Sequence, residues 1–64
     1  MLIDEKTILE KYSELCVKYE NNQIDDFETF IKSRLIEYIF NTWHEDIDYT
    51  VELVNKIVEK EDDQ

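Results

Sequence analysis

Apolar side chains recur along this chain at helical spacing. In the first segment Ile8, Tyr12, Leu15 and Tyr19 follow at intervals of four, three and four. Leu9 and Cys16 widen that stripe to roughly a third of the circumference, which is the width a core-facing helix needs. Thr7 with Glu10 three residues on has the form of a capping box, and Asp4 offers an alternative cap one turn earlier. Glu14 precedes Lys18 by four residues, the favourable order for an ion pair. Asn21-Asn22 is the expected stop, because Asn tolerates the left-handed backbone that ends helices.

The second segment is apolar on two sides. Asp25 with Glu28 three residues on is the expected cap. Phe27, Ile31, Leu35 and Tyr38 form one stripe, and Ile36, Ile39, Phe40 and Trp43 form another. Asp26, Ser33, Arg34, Glu37 and Asn41 hold the remaining polar arc. Such a helix has to be covered twice. It is expected to be the central helix, packed by both neighbours or by one neighbour and a second subunit.

The third segment repeats Ile47, Val51, Val54 and Val58 at four, three and four, with Ile57 beside them and Leu53 at the margin. Asp46 or Asp48 can cap it, and Glu52 stands four residues before Lys56. No window alternates cleanly with period two, so strands are not expected. The short links near 21–24 and 44–47 make sequential helices antiparallel neighbours. The pattern therefore predicts an all-α domain over residues 1–64, a small three-helix bundle that homodimerisation would complete. Its helices run over about 5–20, 25–43 and 47–60, and an acidic frayed tail covers 61–64.

Composition narrows the function. The chain has 64 residues, with no Gly, no Pro and no Ala. Without Gly there is no phosphate-cradling loop and no dinucleotide-binding fingerprint. Seventeen acidic residues against seven basic ones give a net charge of −10. That balance disfavours direct contact with nucleic acid or an anionic membrane, both of which demand cationic surface. At 42% hydrophobic the chain is too apolar for simple disorder. A domain this short buries only about 60% of its unfolded surface, so its stability is marginal without a partner or self-association. The lone Cys16 cannot form an internal disulfide and fits a reducing, cytoplasmic setting. Met1-Leu2-Ile3-Asp4-Glu5 lacks the form of a secretory signal, and no apolar stretch approaches the ~20 residues that cross a bilayer. Plentiful Ile, Lys, Asn, Tyr, Asp and Glu, with Arg34 the single arginine, favour an AT-rich gene of the kind found in low-GC bacteria and their phages and plasmids, and also in some eukaryotic parasites.

Catalytic chemistry has little to build on. A nucleophile needs a positioned base, and His44 is the only histidine. It lies just past the second helix, where a capping role is the simplest reading. Cys16 sits on the apolar stripe, as a small buried hydrophobe would. Asp46, Asp48, Thr50 and Glu52 alternate like the start of a calcium loop, but Val51 stands where Gly is required and Ile57 where Glu is required. No catalytic residue, cofactor or metal ligand is assigned, and the protein is expected not to be an enzyme.

Charge is distributed unevenly. Residues 35–55 hold Glu37, Glu45, Asp46, Asp48 and Glu52 and not one Lys or Arg. Clustered like charges repel, so stability alone would favour interspersed lysines. Trp43 and Tyr49 sit beside this run, an arrangement of anchor and rim suited to a protein interface. The bland alternatives are that Trp43 completes the core and that the acids only keep the protein soluble. The expected partner surface is Glu37, Trp43, Glu45, Asp46, Asp48, Tyr49 and Glu52. The expected partner is a protein with a basic surface, of the nucleic-acid-binding kind, whose phosphate contacts the carboxylates would imitate. Short, acidic helical inhibitors of phage or plasmid type, directed at host or defence proteins, have this character. The competing expectation is a homodimeric adaptor, antitoxin-like or immunity-like, joined through Ile36, Ile39 and Phe40.

Overall fold

Each helix starts where an aspartate can take up free backbone N–H groups. The structure, a computed structural model, describes residues 3–62. Asp4 accepts from the Lys6 amide at 3.1 Å and from the Thr7 hydroxyl at 3.0 Å, and opens α1, Glu5–Tyr19. The alternative cap is thus the one used, and Thr7 serves Asp4 rather than Glu10. Asp26 opens α2, Phe27–Trp43, by accepting from the Thr29 amide at 3.2 Å and the Thr29 hydroxyl at 2.7 Å. These bonds hold the Asp26 carboxyl below the ordinary aspartate range, the hydroxyl contributing most. Asp25 is displaced from the capping role because Thr29 offers two donors at the spacing Asp26 needs. Glu28 pairs instead with Lys32 at 3.3 Å. Asp46 opens α3, Ile47–Asp62, by accepting from the Tyr49 amide at 3.1 Å.

The two links end their helices differently. After α1 the backbone stays right-handed at Glu20, and the Asn22 amide donates to the Tyr19 carbonyl at 3.0 Å. Neither Asn21 nor Asn22 enters the left-handed region; a tightened last turn satisfies the carbonyl instead. After α2 that conformation falls on His44, at φ 54° and ψ 36°, the one non-glycine residue with positive φ among those described. Its amide donates to the Phe40 carbonyl at 2.9 Å, the single bond of a left-handed helix stop. The Phe40 and His44 rings stand 6.4 Å apart across the same turn.

Burial then sorts the stripes. The core is Ile8 and Leu15 of α1, Ile31, Leu35 and Ile39 of α2, and Val54, Ile57 and Val58 of α3. α2 packs against both neighbours, while α1 and α3 meet much less closely. The central placement of α2 is therefore met within one chain, and the fold is a small all-α three-helix bundle with Cα radius of gyration 11.4 Å. Two of the expected core positions are not in it. Ile47 and Val51 are 49% and 36% exposed, and fully buried Thr50 takes the inward position. A hydroxyl can be buried there because it donates to the Asp46 carbonyl at 2.9 Å. The stripe of α3 thus turns through Thr50, Val54, Ile57 and Val58. α3 also runs on through Asp62, into the stretch expected to fray, and residues 63–64 lie outside the described residues, as do Met1 and Leu2. No helix of the described residues is long and apolar enough to cross a membrane.

Candidate functional site

The acidic run falls at the corner where α2 passes into α3. The two helices are separated by only three residues, His44, Glu45 and Asp46. Asp48, Tyr49 and Glu52 follow on the first turns of α3 and are exposed, and Glu45 is half-buried. The described residues contain three ion pairs within 4.0 Å: Lys11 with Glu14, Lys32 with Glu28, and Arg34 with Glu37. None of them involves Glu45, Asp46, Asp48 or Glu52. The pairs expected from spacing, Glu14 with Lys18 and Glu52 with Lys56, do not close. Glu14 turns back to Lys11 at 3.4 Å, and the Lys18 ammonium lies 5.5 Å from the Tyr19 ring centre.

Residue by residue, the corner divides into three roles. Asp48 and Glu52 stand one turn apart on α3, so their carboxylates share a face. Asp46 is exposed but committed, its side chain capping α3 and its carbonyl accepting from both the amide and the hydroxyl of Thr50. Glu37 leaves the uncompensated set, because Arg34 Nη1 approaches its Oε2 at 3.7 Å. Trp43 is half-buried, packs on the core and meets Tyr38 edge to face at 5.9 Å. It flanks the core and is not a projecting anchor. Of the residues proposed for self-association, Ile39 has 0% exposure and Ile36 packs against the core. Ile39 belongs to the intramolecular core and is not available to a second copy. Phe40, one position on, is 44% exposed.

The structure adds apolar residues that periodicity had assigned inward. Five large hydrophobic residues are exposed among those described: Val17, Phe40, Ile47, Tyr49 and Val51. Four of the five lie between Phe40 and Val51, around the corner that carries the acids. Ile47 and Val51 share a face at i,i+4, and Phe40 lies one turn before the link. No family model, curated protein or solved structure matches the chain. The site is thus defined by its own physics.

Two surface hollows complete the description. A shallow depression of about 840 Å³ runs along the outer side of α3, from Tyr49 and Glu52 to Glu59 and Lys60. A smaller groove of about 310 Å³ lies between α1 and α2 and is lined by Lys11, Lys18 and Arg34 among others. Three of the seven basic residues therefore gather on the α1–α2 side. All three already lie over aromatic rings: Lys11 over Tyr38, Lys18 over Tyr19 and Arg34 over Phe30. The described residues include no cluster of three or more His, Cys, Asp or Glu able to hold a metal ion.

Proposed function

We propose that this is a small cytoplasmic binding protein, without catalytic activity, that inhibits or regulates a partner through the acidic α2–α3 corner. The partner is a protein with a basic, nucleic-acid-binding surface, and the carboxylates stand in for phosphates there. One observation carries the reading: Glu45, Asp48 and Glu52 have no cation within 4.0 Å among the described residues, although ion pairs form on α1 and α2. Uncompensated charge at one corner raises the local potential and steers an oppositely charged partner toward it. The chain's AT-rich usage fits a phage or plasmid inhibitor acting on a host or defence protein.

The test is capture from a host lysate at low and high salt, with the wild type and a variant carrying Glu45→Lys, Asp48→Lys and Glu52→Lys. Asp46 is left intact because its side chain caps α3. Capture should weaken steeply with salt and vanish in the reversed variant while circular dichroism keeps its helical form. Capture of the same partner unaffected by salt and by charge reversal would remove this function.

A further inference from the structure

Building on that reading, we infer that the corner's occupant is a cationic amphipathic helix, held by its apolar side and not by charge alone. The apolar half of the site is Phe40, Ile47 and Val51, 44%, 49% and 36% exposed, spanning the end of α2 and the first two turns of α3. Surface residues of this kind are ordinarily scattered, and here four of the five exposed ones adjoin a single link. The same link and first turns of α3 carry Glu45, Asp48 and Glu52, none with a cation within 4.0 Å among the described residues.

Charge complementarity selects the occupant. From Leu35 to Asn55 the chain has no Lys or Arg, and Lys56 and Lys60 enter only farther along α3, beside Glu52 and Glu59, so carboxylates dominate what basic side chains flanking an incoming apolar stripe meet at the corner. A second copy of this chain is the poorer occupant. A two-fold contact puts the same patch on both sides, so the carboxylates of the two corners would face one another in a protein of net charge −10. A helix suits the shape as well. Ile47 and Val51 form a ridge at i,i+4 spacing, which a facing helix receives between its own side-chain rows.

The experiment uses a synthetic Lys/Leu peptide of roughly 18 residues, long enough to be helical when bound, with leucines at helical spacing. Its control is a scrambled isomer of the same composition and charge. Binding is followed by fluorescence anisotropy for the wild type, for Phe40→Ser with Val51→Ser, and for Asp48→Lys with Glu52→Lys. The periodic peptide should bind at least about tenfold more tightly than its isomer, because burying even one large apolar side chain is worth that factor. The Phe40/Val51 variant should lose that advantage and keep its circular dichroism; the charge variant should weaken both peptides. Equal binding of the two peptides would overturn the helix-docking inference while leaving capture by charge in place. Binding of neither would overturn both readings. Sedimentation showing a wild-type dimer that Phe40→Ser dissociates would assign the patch to a second copy and overturn the inference as well.

Discussion

Replacing His44 by Gly and, separately, by Ala tests the stop between α2 and α3. His44 sits at φ 54° and ψ 36°, where the Cβ of an L-residue crowds the following carbonyl at a cost of about 1–2 kcal/mol. Glycine removes that crowding. It also enlarges the conformational freedom of the unfolded chain, which offsets about 0.4–1 kcal/mol. Both variants lose the contact between the His44 and Phe40 rings at 6.4 Å, so that contribution cancels between them. The glycine variant should therefore be more stable than the alanine variant by about 0.5–1 kcal/mol. For a domain of this size about 1 kcal/mol moves the melting temperature by roughly 4–8 °C, well within the reach of thermal circular dichroism. Urea denaturation gives the same difference as a shift in midpoint at constant slope. An alanine variant as stable as the glycine variant would refute the claim that the backbone at position 44 bears left-handed strain.

Two further predictions concern the core and the caps. Ile39→Ala should cost about 2–5 kcal/mol, because Ile39 is wholly enclosed. Against a total of roughly 3–10 kcal/mol for a chain of this length, that substitution removes about half the stability and should lower the urea midpoint by about half, while Phe40→Ser next to it shifts the midpoint far less. Acid titration should show helix loss linked to Asp26. Its carboxyl is held low by Thr29, so its stabilising effect is present above the ordinary aspartate value and is lost as pH falls through the lowered one. Asp26→Asn, followed by the pH dependence of unfolding, should flatten that acid limb; an unchanged profile would assign the acid sensitivity elsewhere.

Much of the fold was legible because it depends on spacing. The intervals of four and three placed all three helices within two residues of their observed ends, and the doubly apolar second segment announced its central position. What spacing could not resolve is choice between neighbours. Asp25 and Asp26 both precede an acceptable cap partner, and the two donors on Thr29 decide for Asp26. Ile39 and Phe40 differ by one position in the same apolar run, yet one is enclosed and the other is open. On α3 the inward position goes to Thr50, whose hydroxyl is satisfied by a carbonyl four residues back. A stripe drawn through aliphatic residues alone passes over it. The same spacing puts Ile47 and Val51 in the core, and so hides the apolar part of the corner. The acidic part was visible as a run without lysine, but capping by Asp46 and pairing of Glu37 with Arg34 depend on side-chain geometry.

Because α2 holds both neighbours while the backbones of α1 and α3 approach each other much less closely, the helices stand in order across the molecule, and one core of side chains ties all three together. Parting α1 from α2 would uncover Ile8 and Leu15, whereas the acidic corner lies wholly within the α2–α3 hairpin. Amide exchange faster along α1 than at the corner is therefore the expected order of opening.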